Sequence, residues 1–240
     1  MSIIKNLSKI GFSFRGNHDL LLPIFDSHEP LVFLLSCVLV GLIFFIIEPH
    51  IASTKGKAWI VMLFSSLILS LVGVVYVFQA QAYNLWTNEF IYSDDFVSRI
   101  VMLFFASVNV MDLLLGILYY PSFLDPFSTI AHHIFYIGFI AALLINGYSK
   151  GFMLCFLMEV PTFVLALGSV WKKCRSDLSF GISFFLTRIL YNMLLAYRLA
   201  MLSIDGIIWK ICVGVLFLHI FWFYKWVRVY GKHVFSAIGG

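Results

Sequence analysis

The sequence predicts an all-α, polytopic membrane protein with seven transmembrane helices. Three observations carry that prediction. Hydrophobic residues make up 62% of the 240-residue chain, against ~45–50% in soluble domains. Charged residues are only 12%, about half the ~25% of a soluble domain, and the mean hydropathy is +0.98. The apolar residues also fall into seven blocks, six of them near the ~20 residues that cross about 30 Å of hydrocarbon. Soluble and disordered chains are thereby excluded, and with 16 Gly and 6 Pro so is a collagenous or low-complexity one.

Residues 1–28 place Lys5, Lys9 and Arg15 among apolar residues, without the continuous apolar run of a signal peptide, and read as an interfacial tail. The first span starts after Glu29-Pro30, where a helix tolerates proline, and stops at Glu48-Pro49, giving roughly 31–47. Further spans follow at roughly 58–80, 98–120, 127–146, 150–170, 178–200 and 206–228. In lipid these must be helices, because the backbone finds no water to bond. Asp125-Pro126 reads as N-cap and first residue of the fourth helix. Pro161 is expected to kink the fifth. The domain reading is a tail plus first helix over 1–56, a membrane domain over 57–230, and a short cytosolic tail over 231–240.

The basic residues orient the bundle. Lys55, Lys57, Lys172, Lys173, Arg175, Lys225, Arg228 and Lys232 fall on one side, whereas Arg99, Lys150, Lys210 and the three tail cations fall on the other. The bias predicts a cytosolic C-terminus. A net charge of +4 spread over loops and tails points to headgroups rather than nucleic acid. Cys37, Cys155, Cys174 and Cys212 stand singly and read as small apolar residues, so no metal or cofactor is expected.

Ionisable residues within apolar helices are costly, which makes each a functional candidate. Asn109, Asp112 and Gly116 share one stripe of the third helix. His132 and His133 open the fourth helix, about 100° apart around its axis, so one at most faces a given site squarely. Glu159 lies in the fifth helix, and Arg188 and Asn192 share a face of the sixth; a Glu159–Arg188 ion pair would neutralise both charges. His219, alone on the seventh, reads as a satisfied interior residue. Tracing the helices up and down brings Asp112, His132, His133, Glu159 and Arg188 toward one half of the bundle. An imidazole beside a carboxylate there is an acid–base pair able to deprotonate a hydroxyl or amine, or to accept an acyl group. The histidines, at 18, 28, 50, 132, 133, 219 and 233, are too scattered for the clusters of a membrane di-iron enzyme. A receptor or retinal protein is disfavoured too, since the sixth helix has no proline and the seventh no lysine at its middle.

These residues form a pattern. Asp112-Leu113-Leu114-Leu115, then His132-His133, then Met158-Glu159-Val160-Pro161-Thr162-Phe163, then the run from Phe180 through Phe184-Phe185 to Arg188-Ile189, together resemble the TLC-domain family of ceramide synthases and small lipid-homeostasis proteins. The likeness spans roughly 57–230. It implies a six-helix membrane barrel around a lipid-sized cavity, here preceded by one extra helix, in the endoplasmic reticulum or a related endomembrane. In ceramide synthases paired histidines serve acyl transfer from acyl-CoA to the amine of a sphingoid base. His132 and His133 match that pair and Asp112 the acidic position before it, with Asn109, Glu159, Arg188 and Asn192 as candidate substrate contacts. Ceramide synthases carry a second acidic motif of Asp residues where this chain has Glu159-Val160-Pro161-Thr162, and no homeobox-like segment precedes the domain here. The chain thus looks more like the small TLC proteins. The implied ligand is a membrane lipid, with acyl-CoA and a sphingoid base as substrates of an enzyme; a homo-oligomer is compatible with the sequence. Two readings stand: an acyltransferase, or a non-enzymatic lipid sensor, transporter or trafficking adaptor on the same fold.

Overall fold

In a computed structural model, residues 28–202 and 206–231 are described, and the interfacial tail, Lys232 and most of the C-terminal tail lie outside them. Seven helices are long and apolar enough to cross a membrane: α1 (Glu29–Ile47), α2 (Ile60–Ala82), α3 (Phe96–Tyr119), α4 (Thr129–Asn146), α5 (Ser149–Val170), α6 (Asp177–Leu202) and α7 (Ile207–Tyr230). The chain is an integral membrane protein, and no strand occurs among the described residues.

The seven predicted blocks become seven helices, with boundaries moved by a few residues. Polar caps set several of them. Asp95 opens α3 by a reciprocal box: Ser98 N–H donates to Asp95 Oδ1 at 2.8 Å, and Asp95 N–H donates to Ser98 Oγ at 3.0 Å. Gly147 ends α4 in a left-handed conformation (φ 70°), and its N–H reaches the carbonyls of Leu143 and Leu144.

Asp125-Pro126 does not open α4 as a simple cap. Instead Pro126–Ala131 forms a wide π-type turn, with Thr129 and Ile130 N–H both donating to the Asp125 carbonyl at 3.0 and 3.1 Å. The predicted kink in α5 is a tight 3₁₀ stretch, Leu154–Glu159, between two α-helical pieces, with Pro161 just inside the second. In α6 the turn Phe185–Tyr191 is again π-type.

Six helices form a ring in which α2 packs on α3 and α5, α3 on α4, α5 on α6, and α6 on α7. The outer helix, α1, lies against α3 through Val40, Gly41 and Phe44, and exposes Leu31, Leu34, Leu35, Val38, Leu42 and Ile46. The backbones of α2 and α5 come together at Gly73 of α2, where a Cβ would stand 2.2 Å from the Leu157 backbone nitrogen.

At one end of the bundle Lys57 pairs with Glu48, and Arg175 donates to Tyr230 Oη and Asp177 Oδ1, both at 3.2 Å. Lys55, Lys172, Lys173, Lys225 and Arg228 lie in the same loops and helix ends, which makes this the basic end of the bundle. At the opposite end Arg99 ties three elements together: Nε to Glu29 of α1 at 2.5 Å, Nη1 to Asp94 at 2.6 Å, and Nη1 to the Leu144 carbonyl of α4 at 3.1 Å.

Two outcomes are expected. Gly73→Val forces α2 off the α5 backbone and should cost at least the ~1–3 kcal/mol of overpacking, read as a lower melting temperature in detergent. Partial burial works to raise the Asp95 carboxyl, but Ser98 and the Lys150 ammonium (3.4 Å) outweigh it and hold the group below its usual range. Its stabilising contribution is therefore present above the ordinary Asp value of about 3.9 and lost as the pH falls through the lower folded-state value. Asp95→Asn should flatten that acid limb of a stability–pH profile.

Candidate functional site

The ring encloses a cavity of about 610 Å³, within the range of pockets that hold organic ligands. It has three tiers. Its mouth, at the basic end, is aromatic: Trp59, Phe123, Phe180, Trp222 and Trp226. The Trp226 indole lies on Gly181, where a Cβ would meet it at 2.2 Å, and stacks on Phe223 with centroids 5.6 Å apart. The floor is apolar, closed by Phe105, Phe152 and Phe156, whose rings meet at 5.2–6.2 Å. Between them runs a polar belt containing Asn109, Asp112, His132, His133, Glu159 and Arg188, together with Thr162 and His219.

On the α3–α4 side, Asp112 is buried and accepts a hydrogen bond from Tyr120 Oη at its Oδ1, 2.8 Å away. Tyr120 reaches it because α3 ends at Tyr119 and the chain turns back toward its own last turns. The other carboxylate oxygen, Oδ2, faces His133 Nδ1 at 3.6 Å. That separation is beyond a hydrogen bond, and Nδ1 has no partner although buried. His132 turns the other way, its ring edge-on to Tyr136 at 4.6 Å, with Glu159 and Arg188 as its charged neighbours.

The α5–α6 side is built from the two irregular turns. The 3₁₀ stretch and Pro161 break the regular bonding of α5, and α6 uses the carbonyls there: Arg188 Nε donates to Met158 O at 2.9 Å and Tyr191 Oη to Leu154 O at 2.9 Å. Arg188 Nη2 also donates to Thr162 Oγ1 at 2.6 Å. The expected Glu159–Arg188 pair is looser than a salt-bridged hydrogen bond, with nearest atoms 4.0 Å apart. Both side chains therefore keep hydrogen-bonding capacity toward the cavity. In the π turn of α6, the Arg188 carbonyl is met by His219 Nδ1 of α7 at 3.0 Å. A carbonyl only accepts, so the neutral imidazole carries its proton on Nδ1 and its lone pair on Nε2.

Of the residues singled out in the sequence, Asp112, His132, His133, Asn109, Glu159 and Arg188 border one cavity. Asn109 spends its amide on the Phe105 carbonyl of its own helix at 2.7 Å. Asn192 is outside the cavity; it is fully buried and ties α6 to the Cys212 carbonyl of α7 at 3.3 Å. Tyr120 and Thr162 are not singled out by the sequence, whereas His219, read there as a satisfied interior residue, is buried and bonded to the Arg188 carbonyl and also borders the cavity. Thr162 stands three residues after Glu159 on the same helical face, and that spacing was a usable signal. Nothing local marked Tyr120, which depends on where α3 ends.

The family model of the TLC domain matches residues 30–228. The chain belongs to the TLC-domain family. The match begins at α1 and so takes in the outer helix as well as the ring. No curated protein and no solved structure matches the chain. In this TLC domain the aspartate, the histidine pair and the Glu-Val-Pro-Thr segment that carry the likeness all face the cavity or its wall.

If Tyr120 holds Asp112 as the geometry indicates, Tyr120→Phe strands a buried carboxylate oxygen and costs about 1–3 kcal/mol. Combining it with Asp112→Asn should be clearly non-additive, with a coupling of about 0.5–3 kcal/mol. Thermal unfolding of the four proteins in one detergent checks this; strict additivity would mean that the two side chains act separately.

Proposed function

We propose that this TLC-domain protein acts in membrane lipid homeostasis by transferring an acyl group from acyl-CoA to the amine or hydroxyl of a lipid acceptor such as a sphingoid base. The observation that supports the reading best is the polar belt, in which an imidazole next to a buried carboxylate faces a lipid-sized space between an aromatic mouth and an apolar floor. In this reading the mouth opens toward the cytosol of the endoplasmic reticulum or a related endomembrane, where acyl-CoA is presented.

His133 is the better-placed base. Its Nδ1 needs to close by less than an ångström to bond Asp112 Oδ2, a tightening common when substrate fills an active site. Asp112 would then hold the Nδ1–H tautomer, with Tyr120 fixing the carboxylate, and leave Nε2 as the reactive nitrogen. Acting as acyl acceptor, Nε2 attacks the thioester carbonyl and the C–S bond breaks; the acylated imidazole gives up its Nδ1 proton by way of Asp112, and the departing thiolate takes it up as the free thiol. The acceptor amine then attacks the acyl carbon, the C–N bond to imidazole breaks, and the amine's proton passes to the imidazole. As general base alone, the same nitrogen takes the amine's proton during direct attack on the thioester. His132 lies beside Glu159 and Arg188, and that pair presents both signs of charge to a headgroup.

A specific observation favours the second reading, a lipid sensor, transporter or trafficking adaptor: Glu159-Val160-Pro161-Thr162 stands where ceramide synthases have their second Asp motif. One experiment separates the two. Purified protein is given a panel of long-chain acyl-CoA donors with sphingoid or lysolipid acceptors. Product is expected from the wild type, falling about 10²–10⁴-fold in the His132→Ala, His133→Ala double variant. Absence of product from folded protein that still carries lipid overturns the transfer reading in favour of the binding one.

A further inference from the structure

The ring is not closed everywhere. Every neighbouring pair of ring helices packs closely except α4 and α7, which barely meet. Toward the floor both helices contribute to one core, through Ile140, Leu143 and Leu144 of α4 and Ile208 and Cys212 of α7. Nearer the basic end they part. Phe135 of α4 and Leu218 of α7 both border the cavity, yet they are 55% and 41% exposed, next to the exposed Ile134 and Phe217 on the outer face of the same helices. Side chains that face the cavity and the exterior together mark the two edges of an opening in the wall.

The position of this cleft selects what passes through it. At 1.5 Å per residue, Phe135 lies roughly 9 Å from Thr129 along α4 and Leu218 roughly 18 Å from Tyr230 along α7, both within the ~30 Å hydrocarbon layer. Its outer borders, Ile134, Phe217, Ile220 and Phe221, are apolar and exposed. A water-soluble ligand arriving at that depth would have to cross lipid first. Behind the edges stand the histidines of the belt: His132 is one helical turn from Phe135, and His219 follows Leu218 directly. A chain sliding between the edges therefore comes straight to the two imidazoles and the Arg188–Glu159 pair.

We propose that the cleft between α4 and α7 is a lateral entrance through which the acyl chain of a bilayer lipid passes from the hydrocarbon layer into the cavity. This rests on the lipid-binding part of the function above and is independent of acyl transfer. It gives the cavity two approaches, an aromatic mouth at the basic end and an apolar slot in the side, so that a lipid held in the bilayer and a second reactant from the aqueous phase can meet at the belt.

The test places the full chain in nanodiscs of phosphatidylcholine containing a phosphatidylcholine with a diazirine on one acyl chain. After irradiation, adducts are mapped by mass spectrometry. They are expected on Tyr136 and Val215, behind the cleft edges, as well as on lipid-facing Leu35 and Leu42 of α1. Labelling of α1 without any adduct inside the cleft would overturn the proposal. A second arm uses Phe135→Cys with Leu218→Cys in a background lacking the four native cysteines, bridged by a bismaleimide. Bridging should bring the cleft adducts to background and leave those on α1 unchanged, with the unbridged, singly capped protein as folding control. Cleft adducts that survive the bridge would show that chains enter by the mouth and would equally overturn the proposal. Acyl-transfer assays on the same samples keep the two readings apart, since a labelled cleft without product removes only the chemistry, and product with an unlabelled cleft removes only the entrance.

Discussion

Backbone polar groups inside a bilayer must be bonded within the protein, and this site exists because two helices break that rule against each other. The α5 3₁₀ stretch and the α6 π turn each disturb the regular ladder at the same height. Neither would be tolerated facing lipid. Met158 O, Leu154 O and Arg188 O are instead bonded by Arg188, Tyr191 and His219 across three helices. The irregular turns thereby rotate Glu159, Arg188 and His219 into one wall of the cavity. Regular helices would have kept their carbonyls and left these side chains without that framework.

The same economy accounts for the charge distribution. A guanidinium deep in a bundle is costly unless hydrogen-bonded. Arg188 is satisfied by a carbonyl and a hydroxyl, with Glu159 at 4.0 Å supplying opposite charge without consuming the fork. Asp112 is treated similarly on the far wall, where Tyr120 bonds one oxygen and the other is left toward His133. In each case a neutral partner carries the structural bond and the ionisable partner stays free for a ligand. That division is unlike a purely structural salt bridge, in which the charges would spend their bonds on each other.

How far these features could be read from the letters follows from their range. The seven spans are legible because each is a local block of apolar residues, and the helix-bound candidates Asp112, His132, His133, Glu159 and Arg188 converge because up-and-down tracing fixes their heights. What tracing cannot supply is rotation about each helix axis. Asn192, four residues from Arg188, is on the same nominal face, yet the π turn between Phe185 and Tyr191 shifts the register and sends it to the α6–α7 contact. Tyr120 is hidden for a different reason, since its role depends on the chain folding back on Asp112 after the last turn of α3. His219 could be recognised only with its partner in view, because that partner is a backbone carbonyl freed by irregular winding thirty-one residues away.

An opening between α4 and α7 is consistent with the way the ring is joined. Successive helices tend to pack as neighbours, and α3 with α4 and α6 with α7 do so. Closure would need the two free edges, α4 and α7, to meet without any connecting loop to hold them. Their halves near the floor share an apolar core, whereas nearer the basic end each presents a bulky side chain to the outside and a histidine to the cavity. An apolar contact sealing that seam would exclude lipid from the belt. Phe135 and Leu218, left exposed at hydrocarbon depth, lose little by staying apart, because acyl chains solvate them as well as each other would.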